Sequence, residues 1–264
     1  MLTARLRSGR RLLSLQGHVL GGVLTVLIRF PFLAAAEQER RLVRWAARLL
    51  QIVGVQVTVK GQAPVARVGG VLIVANHVSW LDIHIIHSLL PARFVAKAQV
   101  RDWPVIGWLA DKAGGTLFLE RARKADAKRV NSKMADHLRA GECLALFPEG
   151  TTTDGSELLP FYSSLFQPAV EVEAMVLPAL IRYLDRDGRR CDEAAYYGEM
   201  SLFDSLRRIV REPAVYAEIE FLTPIASRGL HRRELAARAE QAIRGLLAAD
   251  APDSQLESTD RPPA

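Results

Sequence analysis

An α/β fold, with a central mixed, mostly parallel sheet flanked by helices, is predicted by three features of the chain. Short β-branched runs alternate with helical periodicities from Val55 onward. Several of those runs are apolar at every position, as strands covered on both faces must be. Ahead of them lie two helix-length segments, one without charge from Leu12 to Ile28 and one with its apolar residues and its arginines on different faces, a pattern of membrane-interfacial helices.

The 264 residues, 49% of them hydrophobic, suffice for one substantial core. Strands are expected at 55–59, 71–75, 93–96, 116–119, 143–147, 176–181 and 215–221. Helices are expected at 80–90, 125–140, 202–210 and 232–249, with Gly141 stopping the second of these. The tail 250–264, rich in Pro, Ser and Asp, has the composition of a disordered segment. The expected organisation is therefore a membrane-associating segment at 1–53, an α/β domain at 54–249 and that tail.

The stretch from Leu12 to Ile28 carries no charge but includes Ser14, Gln16, Gly17, His18, Gly21, Gly22 and Thr25, and Arg29 closes it. It is marginal as a membrane span. Arg5, Arg7, Arg10 and Arg11 precede it, while Arg40, Arg41, Arg44 and Arg48 follow, so basic residues assign both ends to one side. After Pro31, Leu42, Trp45, Ala46, Leu49, Leu50 and Val53 recur at helical spacing. Two helices dipping into one leaflet account for this better than a single-pass anchor. A secretory signal is the competing reading, from the arginine-rich start and Ala34, Ala35 and Ala36, but Arg29 interrupts its apolar region.

The net charge of +6 draws the chain toward a polyanion, and no zinc-finger or aromatic-basic pattern points to nucleic acid. An anionic bilayer surface is the expected partner. Cys143 and Cys191 form neither a CxxC nor a metal pattern, consistent with a reducing compartment.

Two clusters carry chemistry. The run Val71-Leu-Ile-Val-Ala-Asn-His-Val-Ser-Trp-Leu-Asp82 puts a strand before Asn76 and His77, with Asp82 on the first turn of the next helix, able to reach back to the imidazole. After another apolar strand comes Phe147-Pro-Glu-Gly-Thr-Thr-Thr-Asp-Gly155, whose Gly150 and Gly155 permit a tight turn. A metal site of His77, His84, His87 and Asp82 is the weaker reading, because it requires ligands from both sides of a helix start to converge; none is expected.

The blocks Asn-His-x-x-x-x-Asp at 76–82 and Phe-Pro-Glu-Gly-Thr at 147–151 resemble the glycerolipid acyltransferase family, typified by bacterial 1-acylglycerol-3-phosphate acyltransferases. Two further blocks, Gly115-Thr-Leu-Phe-Leu-Glu-Arg121 and Val176-Leu-Pro178-Ala, match in order, as does Lys97 with Pro104 and Gly107. The resemblance spans roughly 55–221. It implies that His77 is a general base for a lysolipid hydroxyl, that Asp82 orients it, and that Asn76, Lys97, Arg121, Glu149, Gly150, Thr151 and Thr152 bind the acceptor. It implies no bound cofactor, an acyl-CoA or acyl-acyl carrier protein donor, and a place on the cytoplasmic face of a bacterial inner membrane. Lysophosphatidate is the leading acceptor. Many phosphatidate-forming members carry arginine where Thr152 stands, and the Thr-Thr-Thr-Asp-Gly continuation resembles the lyso-ornithine lipid branch, the alternative. A catalytically silent membrane-binding member is the reading from another class.

Overall fold

The computed structural model describes residues 2–64, 70–120 and 124–249. The expected tail at 250–264 lies outside the described residues. The described strands are β1 (Val55–Lys60), β2 (Val71–Ala75), β3 (Arg93–Lys97), β4 (Leu117–Leu119), β5 (Cys143–Leu146), β6 (Met175–Leu184), β7 (Val215–Phe221) and β8 (Ile225–Ala226). They form one sheet in the order β1-β7-β6-β2-β5-β3-β4, with β8 added beside β6. Every pairing is parallel except those of β6 with β7 and β8, so the sheet is mixed and mostly parallel, as the sequence predicts.

Around it are α1 (Leu2–Ile28), α2 (Ala35–Val53), α3 (Leu81–Leu89), α4 (Ile106–Lys112), α5 (Lys124–Arg139), α6 (Gln167–Glu171), α7 (Leu202–Arg211) and α8 (Arg232–Ala249). The central strand β2 explains the uniformly apolar runs. Its Ile73 and Ala75 join a cluster with residues of α2, α3 and α7, whereas Leu72 and Val74 join one with residues of α5, α6 and α8. All four are fully buried, so neither face of β2 can accept a polar side chain without a partner. The edge strand β1 instead alternates, with Gln56, Thr58 and Lys60 exposed. Gly141, at φ +80°, supplies the left-handed residue that lets α5 end.

β6 is longer than the expected strand because it continues past the end of β2 and pairs with β7 as far as Leu184. The elements absent from the expectation, α4, α6 and β8, are each seven residues or fewer, too short for periodicity to register.

The N-terminal helices form a hairpin. α1 starts ten residues before its apolar run, because its first turns dock on the end of α7. Ser8 Oγ donates to Val210 O at 3.2 Å, Arg11 donates to the carbonyls of Val210, Glu212 and Pro213, and Arg7 donates to that of Arg211. Cations and hydroxyls here satisfy carbonyls that a helix C-terminus leaves unpaired. α1 then packs on α2, where the His18 and Trp45 rings stack at 4.9 Å and exchange two side chain to backbone hydrogen bonds. A Cβ at Gly22 would lie 2.6 Å from Trp45 Nε1, so glycine is what allows the approach. α2 in turn buries Leu49, Leu50 and Val53 in the same cluster as the sheet and α3, which makes it a layer of the core. Leu13, Leu20, Leu24, Leu27 and Ile28 remain exposed on α1, and Phe32 at the hairpin tip is 87% exposed. By length and composition α1 is also apolar enough to cross a membrane.

Candidate active site

Because β2, β5, β3 and β4 are mutually parallel, their C-terminal ends share one edge of the sheet, where sites in open α/β folds collect. That edge gathers His77 after β2, Glu149 and Gly150 after β5, and Lys97 at the end of β3. Arg121, two residues past β4, lies outside the described residues.

His77 and Asp82 meet. Nδ1 of His77 is 2.8 Å from Oδ2 of Asp82, and the Asp82 side chain is fully buried while that of His77 is 17% exposed. The same oxygen accepts from the backbone N–H groups of Val78 at 2.8 Å and Ser79 at 2.9 Å. These bonds exist because α3 begins four residues after His77, so its first-turn acid folds back onto the loop leading in. The other oxygen, Oδ1, accepts from the Tyr183 hydroxyl at 2.7 Å. Four donors around one carboxylate fill its hydrogen-bonding positions in a dry setting. The imidazole stacks on Phe147 at 3.9 Å with an interplanar angle of 4°. With Nδ1–H committed to Asp82 and the ring clamped, Nε2 is the nitrogen left to take a proton.

Two predicted acceptor contacts serve the frame. Asn76 is buried, and its side-chain amide donates to Ile181 O at 2.9 Å and accepts from Ile181 N–H at 2.7 Å, stitching the end of β2 to β6. Glu149 is buried and accepts from the N–H groups of His77 and Leu159, each at 2.8 Å, joining the loop before α3 to the loop after β5. Gly150, at φ +69°, turns the chain, and Thr151 and Thr152 follow it, Thr151 exposed and Thr152 half-buried. Thr153 N–H then donates to His77 O at 2.9 Å, which holds this loop beside the imidazole. Lys97 is exposed.

Tyr183, Phe147 and the loop after β6 are additions to the residues predicted for the site. Tyr196 N–H donates to Val78 O at 2.8 Å, and Arg190 donates to Asp154 O at 3.3 Å with its guanidinium 3.8 Å from the Asp154 carboxylate. A tyrosine in a strand whose one charged residue is Arg182 was the available signal, since a buried phenol needs a partner. His87 pairs with Ala92 O and His84 lies edge-on to Trp45 and Trp80, both away from the dyad. Among the described residues no group of three or more His, Cys, Asp or Glu is arranged to hold a metal. Both cysteines are free, and burial pushes each thiol up to about 12, far from a reactive thiolate.

Desolvation pushes the Glu149 carboxyl up to about 7 from an ordinary 4.5, against the two N–H donors. The folded state therefore holds that proton more tightly than the unfolded chain, so this group's stabilisation is present below about 4.5 and lost as pH rises to about 7. The gap in melting temperature between the native protein and Glu149→Gln is expected to change across that window. A gap that stays constant from about pH 4 to 8 would contradict the assignment.

A family model described as Acyltransferase matches residues 56–182. A lyso-ornithine lipid O-acyltransferase of Pseudomonas aeruginosa is 40% identical over 252 residues, covering 95% of each chain. A 1-acyl-sn-glycerol-3-phosphate acyltransferase of Neisseria gonorrhoeae is 36% identical over 183 residues, 69% of this chain and 71% of its own. The crystal structure of the 1-acyl-sn-glycerophosphate acyltransferase PlsC from Thermotoga maritima shares the fold with a TM-score of 0.64 at 20% identity, covering 92% of this chain and 97% of that one. Identity and coverage of this extent, with the 76–82 and 147–151 blocks brought together at one sheet edge, make the chain a member of the lysolipid acyltransferase family, an acyltransferase of the 1-acylglycerol-3-phosphate acyltransferase type.

Proposed function

We propose that this acyltransferase acylates lyso-ornithine lipid, using His77 as general base and Asp82 as its orienting partner. The lysolipid hydroxyl gives its proton to Nε2 of His77 as its oxygen attacks the carbonyl carbon of an acyl-CoA or acyl-acyl carrier protein thioester. The tetrahedral intermediate expels the thiolate, which recovers the proton from the imidazolium. Asn76 and Glu149 act by holding the loops in place, while Lys97, Arg121, Gly150, Thr151 and Thr152 remain the acceptor-side candidates.

The observation that carries the choice of acceptor is the loop beside His77. It presents Thr152 where a phosphate-directed guanidinium would stand, and next to it the opposite charges of Asp154 and Arg190. An amino-acid headgroup bearing an ammonium and a carboxylate matches such a pair, whereas a phosphate matches a cluster of cations. The 40% identity along nearly the whole length to a lyso-ornithine lipid acyltransferase supports the same reading. Lysophosphatidate is the second reading, favoured by the Neisseria relative and by exposed Lys97. Purified protein given an acyl thioester with each lysolipid in turn, and its products weighed by mass spectrometry, is expected to favour lyso-ornithine lipid at least about 10-fold in kcat/KM, worth ~1.4 kcal/mol. A preference for lysophosphatidate would reverse the choice, and turnover of neither would refute it.

We further propose that the α1–α2 hairpin dips into one leaflet on the cytoplasmic face of the membrane. Both of its ends are tied to the core, at Arg11 and at Val53, leaving the tip with its exposed Leu24, Leu27, Ile28 and Phe32 as the part to be inserted. At about 1.5 Å per residue the helix beyond Arg11 is roughly 25 Å long, and it returns to the side it left. The arginines of α2 suit anionic headgroups. Because α2 is part of the core, the test is substitution rather than deletion. Leu27→Ser combined with Phe32→Ser is expected to weaken flotation with anionic phospholipid vesicles by about 100-fold, given ~1.5–3 kcal/mol per side chain transferred. Unchanged flotation would defeat the anchoring proposal.

A further inference from the structure

We propose that Tyr183 is a positioning residue for acyl transfer: its hydroxyl holds the second oxygen of Asp82, so that the carboxylate stays aimed at His77. The inference rests on the reading of His77 as general base and adds a residue that lies 101 positions from Asp82, on a different element.

The argument starts with how Asp82 spends its two oxygens. Oδ2 accepts from His77 Nδ1 and from the N–H groups of Val78 and Ser79, all within the loop that leads into α3. Oδ1 faces the sheet, and the donor that reaches it is Tyr183 at 2.7 Å. Leu177, Ala179, Ile181 and Tyr183 alternate onto the face of β6 that packs against α2, α3 and α7, so the phenol stands in an apolar wall. Tyr183, Asp82 and His77 thus form a chain of polar groups running inward from the imidazole, in which each bond polarises the next. Burial and the charge of Asp82 drive the phenol well above its ordinary range, which keeps it a donor at any working pH.

Without that donor Oδ1 is a desolvated carboxylate oxygen facing apolar side chains. The remaining charge then draws harder on the Nδ1 proton and favours the imidazolium, which depletes the reactive neutral ring at the acid end. Among groups facing the pair, the loop after β5 contributes Glu149, whose charge acts on Asp82. α7 contributes Ser205 against Trp80 and α2 contributes apolar Leu49, Leu50 and Val53, while His84 and His87 of α3 are taken up by Trp45 and Trp80 and by Ala92 O, away from the pair. These are the same in every variant below, so differences between variants isolate Tyr183.

The test uses the full chain in micelles, with a pH–rate profile for acyl transfer and, independently, the ¹⁵N imidazole titration of His77 without substrate. Tyr183→Phe keeps the ring and loses only the hydroxyl. Its acid limb and the His77 titration are expected to move up by roughly half to one pH unit, with kcat falling about 3- to 10-fold on the acid limb and KM unchanged. Replacing Tyr183 by 3-fluorotyrosine strengthens the donor at nearly constant volume, and both curves are expected to move down, which keeps the test decisive should Tyr183→Phe fail to fold. Ser227→Ala, which removes a buried hydrogen bond to Ala169 O far along the chain, controls for lost stability and is expected to leave the limb in place. An unmoved His77 titration in the substituted proteins, or the same movement in Ser227→Ala, would overturn the inference. Absence of acyl transfer by the unsubstituted protein would strike the general-base reading instead, while the imidazole titration would still decide the role of Tyr183.

Discussion

Replacing His77 by alanine is expected to lower kcat at least about 100-fold, and up to ~10,000-fold, while leaving the fold and vesicle binding intact. The geometry fixes this pattern. Nδ1 is bound to Asp82 and the ring face lies on Phe147, so the imidazole is held in one orientation with a single nitrogen free. The side chain is partly exposed at the site edge, so truncation opens a space that water can fill. The loss therefore falls on proton transfer and very little on stability. Steady-state kinetics beside a thermal melt checks it, and retention of more than about a tenth of the native rate would contradict the general-base role.

Asp82→Asn is the second large effect, and it separates charge from shape. The amide oxygen can occupy the place of Oδ2 and accept from His77, Val78 and Ser79, while its NH₂ group turns to Tyr183, whose oxygen can accept in place of donating. Packing survives, but the negative charge that balances an imidazolium does not. A kcat loss on the order of 1,000-fold is expected with a melting temperature near that of the native protein. Asp82→Ala is different, because it strands four donors in a dry core at ~1–3 kcal/mol each and is expected to prevent stable folding. Equal activity in the native protein and Asp82→Asn would remove the carboxylate from the mechanism.

The fold was legible wherever burial on both faces forced a uniform pattern. β2, β5 and residues 176–181 of β6 sit in the middle of the sheet and read as unbroken apolar runs, and β7 appears at its expected residues. What escaped reading were elements defined by contact. β8 is two residues that exist because β6 offers an edge, and the first turns of α1 are fixed by the carbonyls ending α7. The same divide runs through the site. The five-residue interval from His77 to Asp82 is local, so it can be anticipated from a helix start. Tyr183 reaches Asp82 from β6, and no spacing encodes that the strands carrying Asn76 and Ile181 are neighbours. Asn76 and Glu149 illustrate the converse: their position beside the dyad was readable, but their spent hydrogen-bonding groups were not.

The central claim is that the acceptor hydroxyl is itself the nucleophile, activated by one imidazole and its carboxylate, with no acyl-enzyme between. Both thiols are held far from the thiolate form, which leaves the claim open to a direct check. Mixing the protein with a stoichiometric acyl thioester in the absence of lysolipid, then following free thiol and intact protein mass, is expected to show no burst and no mass increase until lysolipid is added. A stoichiometric burst of thiol with an acylated protein would contradict the account.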